Sequence, residues 1–272
     1  MTTPRKLTPQ EETRLAQVRK NFQERRRVTE SLEGIGTRIG VYSGKGGVGK
    51  TTVATNLAVT LAAQGNNVAL FDCDIDCPNV ARVLRVTEGP VQDGKKLIPP
   101  SRFGVKVMSM AFFQENEDEA IIWRGPMIHN AINQFLQTTE WGNPDYMIVD
   151  LPPGTSDAPL TVMQTLNLDG FVVVSTPQEL AVLDAKRSIN MIKKMNLKVF
   201  GVIENFSGGM FGTGGGQALA EEMDLPFLGT IEMRADYNNS KRPASLESDE
   251  IAAEYAGITE KLKARIAAEK AD

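Results

Sequence analysis

The sequence predicts an α/β fold in three layers: a mostly parallel, doubly wound sheet with helices packed on both faces. Three observations carry this. Short apolar runs of strand length alternate with helical patterns from residue 39 onward, and such alternation builds parallel sheets covered on both sides. The first run, with Ile39 and Val41, passes into a glycine-rich loop and then directly into a helix. Two later runs end in aspartate, at Asp72 and Asp150, placing charge at the sheet edge where such folds bind ligands.

In chain order, residues 8–33 are charged and poor in glycine and proline, with Leu15, Val18 and Phe22 at helical spacing. Basic residues Arg14, Arg19, Lys20, Arg25, Arg26 and Arg27 accompany them. A solvated helix lying loosely on the domain is preferred over a nucleic-acid contact. Residues 1–33 are therefore expected to form a charged helical arm and residues 34–272 the folded domain, with Gly34 and Gly36 ending the arm.

The loop Gly44-Lys45-Gly46-Gly47-Val48-Gly49-Lys50-Thr51 fits G-x-x-x-x-G-K-[ST], the P-loop pattern. Its glycines let the backbone wrap a phosphate closely, with N–H groups pointing inward. The helix that starts near Lys50 adds the positive end of its dipole. Lys50 is expected to reach the β- and γ-phosphates, and the Thr51 hydroxyl to ligate Mg²⁺. The chain should bind a nucleoside triphosphate on a P-loop NTPase fold.

Residues 67–71 read as a second buried strand ending in Asp72-Cys73-Asp74-Ile75-Asp76-Cys77. Clustered carboxylates there need a positive neighbour, and Mg²⁺, Lys45 or Lys50 would supply it. Residues 86–104 read as a surface excursion and 105–110 as a strand. Trp123-Arg124-Gly125-Pro126-Met127 opens a helix through about residue 136. The next strand ends in Asp150, expected to hold Mg²⁺ directly or through water. It leads into Pro152, Pro153 and Gly154, a loop placed to sense the γ-phosphate.

Residues 171–176 form a strand before Pro177 and a helix over 179–195; 198–203 form another, running into Glu204-Asn205-Phe206. A glycine-rich loop then leads to a helix over 217–223 and a short strand at Phe227 and Leu228. Ile251, Tyr255, Ile258, Leu262 and Ile266 mark an amphipathic terminal helix.

Lys plus Arg is 30 and Asp plus Glu is 34, so no basic excess points to nucleic acid. No apolar run approaches a membrane span and no signal-peptide core opens the chain, so a cytoplasmic protein is expected. Two cysteines argue against a disulfide framework and for a reducing compartment. The single histidine, His129, makes a Ser-His-Asp triad or a histidine-rich metal site improbable, and reads as an ordinary packing or surface residue.

Lys45 at the second loop position, Asp72-Cys73-Asp74 and Asp150-Leu151-Pro152-Pro153-Gly154 resemble the deviant P-loop ATPases that include MinD, ParA and the nitrogenase iron protein. The stretches VYSGKGGVGKTTVATNLA, WRGPM, DYMIVDLPPGTSD, STPQ and FGTGGG are similar to the Mrp-type iron–sulfur cluster carrier ATPases, across roughly residues 37–245. The resemblance implies a homodimer closing around two ATP molecules, with Lys45 reaching the neighbour's phosphates. It implies that Asp74 orients the attacking water and that Asn205 contacts adenine. The implied nucleotide contacts are Gly44, Lys45, Gly46, Gly47, Val48, Gly49, Lys50, Thr51, Thr52, Pro177 and Asn205. The implied Mg²⁺ ligands are Thr51, Asp72 and Asp150. No guanine-reading Asn/Thr-Lys-x-Asp follows a late strand, which favours ATP on the residues alone.

One departure matters. Where the family carries Cys-x-x-Cys for a bridging cluster, this chain has residues 206–213 without cysteine. Cys73 and Cys77 are the only thiolates that could ligate a cluster, and one buried residue plus one loop residue is the preferred reading. A cluster role would then use a donor or acceptor protein as partner. The other reading kept open is a MinD- or ParA-like nucleotide switch acting on a protein, DNA or membrane partner without a cluster. The terminal helix mixes charges on its polar face and does not read as a membrane contact.

Overall fold

Strand β1 (Thr37–Tyr42) is the centre of the molecule because its residues have somewhere apolar to go on both sides. Ile39 and Val41 are fully buried in one core cluster and Tyr42 in the other. The computed structural model describes residues 8–113, 125–238 and 241–271.

Before β1 comes α1 (Pro9–Leu32); after it come α2 (Lys50–Ala63), β2 (Val68–Asp72) and the short α3 (Val80–Val83). Strands β3 (Val91–Asp93), β4 (Lys96–Ile98), β5 (Ser101–Arg102) and β6 (Val105–Ser109) follow, then α4 (Gly125–Thr138) and β7 (Tyr146–Asp150). The remainder runs α5 (Asp157–Leu166), β8 (Gly170–Ser175), α6 (Glu179–Lys194), β9 (Val199–Ser207), α7 (Gly215–Glu222), β10 (Phe227–Glu232) and α8 (Asp249–Ala271).

Eight strands form one sheet in the order β10-β9-β8-β1-β7-β2-β6-β5. All its pairings are parallel except β5 with β6 at the edge. Two pairings locate the site. Val41 of β1 lies opposite Asp150 of β7, and Asp72 of β2 lies opposite the same Asp150. Asp150 therefore stands beside the strand that feeds the glycine loop, and Asp72 one strand further out.

Helices α2 and α8 cover one face, through Val53, Leu57, Leu61, Ile251, Tyr255 and Ile258. Helices α4, α5 and α6 cover the other, with Ile132, Leu136, Val162 and Ile189. Burying each such side chain contributes roughly 1.5–3 kcal/mol. The terminal helix is tied to α2 as well as packed on it, since Gln64 Nε2 donates to Thr259 and Lys263 Nζ donates to Gln64. Among the described residues no helix is long and apolar enough to cross a membrane.

Helix α1 starts with a capping box. Glu11 N donates to Thr8 Oγ1 at 3.3 Å, and Thr8 N donates to Glu11 Oε2 at 2.8 Å. Its expected stripe differs from what packs: Leu15 and Val18 are exposed, while Val28 and Leu32, nearest the domain, are buried against the α4 side. The side chain of Phe22 lies outside the described residues, as do Trp123 and Arg124. The excursion over 86–104 holds the β3–β4 hairpin and edge strand β5. Helices α3 and α5 are further additions; Pro159 sits in the first turn of α5, where a missing N–H costs nothing.

Candidate functional site

The loop between β1 and α2 takes its shape from particular glycines. Gly47 and Gly49 have φ of 79° and 81°, the left-handed region. A Cβ on Gly44 would lie 2.2 Å from the carbonyl oxygen of Asp184, so the loop packs directly on the backbone of α6. The Ser43 hydroxyl donates to the Lys45 carbonyl at 2.9 Å. Lys45 is half-buried at the rim; Val48 is buried and Gly46 open. Gly49 caps α2, whose first turn carries no acidic residue, leaving its N–H groups and positive dipole end clear.

Lys50 is buried, with Nζ 2.6 Å from Asp150 Oδ1 and 3.5 Å from Asp74 Oδ2. Thr51 Oγ1 donates to the other Asp150 oxygen at 2.6 Å. Burial pulls the Lys50 ammonium down, but Asp150 and Asp74 outweigh it and raise its pKa on balance. Burial raises Asp74 first, Lys50 opposes that, and Asp150 adds to it.

Asp72 occupies a different position from Asp74. It is fully buried and accepts from Val80 N at 3.0 Å, Ser109 Oγ at 2.9 Å and Asp74 N at 3.2 Å. Burial first, and neighbouring Asp150 second, push its pKa up to about 8. Through these bonds Asp72 braces the loop that carries Asp74.

Loop 152–154 is stitched to β1: Tyr42 Oη donates to the Gly154 carbonyl, and Gly154 N donates to the Ser43 carbonyl at 3.0 Å. Burial pushes the Tyr42 phenol up to about 12. Thr52 is half-buried on the first turn of α2 and, with Asn56, Arg82, Arg85, Tyr237 and Pro243, lines a cavity of about 310 Å³.

On the other flank, Asn205 is buried at the end of β9 and donates from Nδ2 to the Val48 carbonyl at 2.8 Å. Pro177 is half-buried beyond β8, its carbonyl against the start of α7. Glu204, which sequence reasoning passed over, is 1% exposed and accepts from Ser207 Oγ, Gly214 N and Gly216 N. Its signal was an acidic residue inside an otherwise apolar strand, followed by glycines ten to twelve residues on.

Cys73 is fully buried in the apolar cluster opposite Asp72, and Cys77 is exposed. Burial raises the Cys73 thiol well above its ordinary pKa, and Asp72 and Asp150 raise it further. His129 is exposed and bonds to Thr165 and Asn133.

Among the described residues no group of three or more His, Cys, Asp or Glu is arranged to hold a metal. Magnesium needs only one or two protein oxygens, with water and phosphate completing its shell. The Thr51 hydroxyl and Asp150 carboxylate, already 2.6 Å apart, are hard oxygen donors that fit it.

A family model described as ParA, NUBPL iron-transfer P-loop NTPase, matches residues 34–266. The chain is 40% identical over 220 residues to an iron–sulfur cluster carrier protein of Methanocaldococcus jannaschii, covering 76% of each. Its structure is similar to a nucleotide-binding protein of Archaeoglobus fulgidus solved with ADP: TM-score 0.69, 36% identity, covering 79% of this chain and 88% of that one. It also resembles the cell division ATPase MinD of Pyrococcus furiosus, with TM-score 0.67, 22% identity and coverage of 84% and 98%, a likeness of fold alone.

Proposed function

This chain belongs to the family of NUBPL iron-transfer P-loop NTPases, and on that premise we propose that it is a Mg²⁺-dependent ATPase that drives iron–sulfur cluster transfer as a nucleotide-gated homodimer. The observation that carries the reading is Asp150 accepting from Lys50 and Thr51 at once, both at 2.6 Å, directly beneath a left-handed glycine loop.

In this reading the loop N–H groups and the α2 dipole bind the phosphates, and Lys50 moves from Asp150 to the β- and γ-phosphate oxygens. Thr51 and Asp150 would hold Mg²⁺, which when bound would neutralise the phosphate charge that develops in transfer. Asp74, 6% exposed and held by Cys77 N at 3.3 Å, orients the attacking water. Lys45 at the rim reaches the partner subunit's nucleotide. The cargo is an iron–sulfur cluster, and because Cys73 faces the core, its ligands come from a donor or acceptor protein.

A switch without cargo, of the MinD or ParA kind, is the second reading, favoured by the lack of a paired thiol in the loop over 206–213. Calorimetric titration of the folded protein with Mg-ATP tests the common core. Binding that Lys50→Ala weakens at least about tenfold supports it, and undiminished binding in that variant overturns it.

A further inference from the structure

The surface beside α3 carries arginines from three separate parts of the chain. Arg82 lies on α3 and Arg85 just after it, while Arg102 ends β5. Arg242 precedes Pro243, and that proline lines the same cavity as Arg82 and Arg85, which joins the groups in space. All four arginines are exposed. The guanidinium carbons of Arg102 and Arg242 lie 4.7 and 5.7 Å from the centre of one ring, that of Phe103. Among the described residues no carboxylate forms an ion pair with Arg82, Arg102 or Arg242. Two cations brought to one ring repel each other, and the ring's quadrupole offsets only part of that. The chain as a whole has a formal net charge of −4, so this positive surface is a local feature and not a general excess.

The backbone is bent to keep these side chains in place. Among the described residues, Arg85, Phe103, Asn167, Asn196, Phe206 and Asp224 have positive φ without being glycine. Asn and Asp tolerate that conformation, and bulky side chains do not. Arg85 at φ 55° and Phe103 at φ 50° are two of the three bulky cases, and both belong to this surface. Glycine would occupy either position without strain. The side chains are therefore retained at a cost to the fold, as happens where a surface serves a ligand.

We propose that Arg82, Arg85, Arg102 and Arg242 form a docking surface for an acidic segment of a partner protein, whose Asp and Glu carboxylates the guanidinium forks bind. The planar fork meets a carboxylate with two parallel hydrogen bonds, a geometry that lysine does not offer. Nucleic acid fits this surface less well. Phe103 is half-buried and already carries two guanidinium groups, leaving little of its face for a base to stack on. The net negative chain also repels a long polyanion. The inference goes beyond the ATPase reading and does not rest on it; in the cluster-transfer reading the segment belongs to the donor or acceptor protein.

Fluorescence anisotropy of a labelled polyglutamate peptide, titrated with the full chain in about 50 mM salt, tests this. Arg102→Ala/Arg242→Ala removes two charges from the surface. Lys194→Ala/Lys261→Ala removes two exposed charges from α6 and α8 and serves as the matched control. The first pair should weaken peptide binding at least about tenfold and the second less than about twofold. Arg85→Gly should weaken it at least about threefold while its urea midpoint holds or rises, because glycine relieves the backbone. Wild type that does not bind the peptide, or equal weakening by the two double variants, would overturn the proposal. Arg85→Gly with lower stability and unchanged affinity would show that Arg85 serves the fold, and would overturn it too. Oligothymidylate of equal charge bound more tightly than the peptide, and lost in Arg102→Ala/Arg242→Ala, would assign the surface to nucleic acid instead. Should that double variant not fold, Arg82→Ala gives the same reading: weakening of at least about threefold supports the surface, and unchanged affinity overturns it.

Discussion

The ammonium of Lys50 stands 2.6 Å from one oxygen of Asp150, in a pocket that also holds Asp72 and Asp74. Asp150 and Asp74 share this cation, and removing one member of a buried pair strands the rest. Lys50→Ala should therefore cost the nucleotide-free protein about 3–5 kcal/mol in urea unfolding, and adding Asp150→Asn should recover part of it. Unchanged stability in the single variant would mean that the pair is solvated.

Lys45 is half-buried at the rim of the loop, and the proposed dimer gives it a cross-subunit role to test. Lys45→Ala should leave Mg-ATP affinity within about threefold of wild type while weakening dimer formation with a non-hydrolysable analogue. Light scattering of both proteins decides it; identical dimerisation would remove the cross-subunit role.

The two thiols should differ sharply in reactivity. Thiolate is the reacting form, and a raised pKa leaves less of it at any pH. Burial raises Cys73, so iodoacetamide at pH 8 should label Cys77 alone in the native protein and both cysteines in denaturant. Rapid native labelling of Cys73, read by peptide mass, would contradict the packing described.

The arm should be energetically uneven. Leu32→Ala removes a side chain 2% exposed and should cost about 2–5 kcal/mol. Leu15→Ala removes one that is 40% exposed and should change stability by less than about 0.5 kcal/mol. Similar losses at both positions would show that the outer arm packs too.

The strand–loop–helix centred on Gly44 to Thr51 was legible because its information is local: glycine spacing, an apolar run before it, a helical pattern after it. Asp150 was legible for the same reason. Asp72 and Asp74 look alike in sequence, and only contacts from elsewhere in the fold separate them: Val80 N and Ser109 engage the first, while Lys50 reaches the second. Helix α7 begins two residues before the expected position because Gly215 and Gly216 are helical. They are glycines to clear Pro177 and Glu204, a tertiary demand that reads locally as a loop. Helix α5 was hidden by Ser156, Asp157 and Pro159, which suit a helix start as well as a turn. The arm's apolar spacing at Leu15 and Val18 is helical but faces no partner among the described residues, whereas Val28 and Leu32 reach the core.

Phosphate release from Mg-ATP, compared between wild type and Asp74→Asn, tests the ATPase most directly. Asp74 lies 3.5 Å from Lys50 and is positioned by Cys77 N, so its loss should spare nucleotide binding and remove the group that orients water. The expected result is slow, Mg²⁺-dependent release by wild type, reduced at least about a hundredfold in Asp74→Asn with binding retained. Release no faster than buffer from the wild type, or undiminished release from Asp74→Asn, would contradict it.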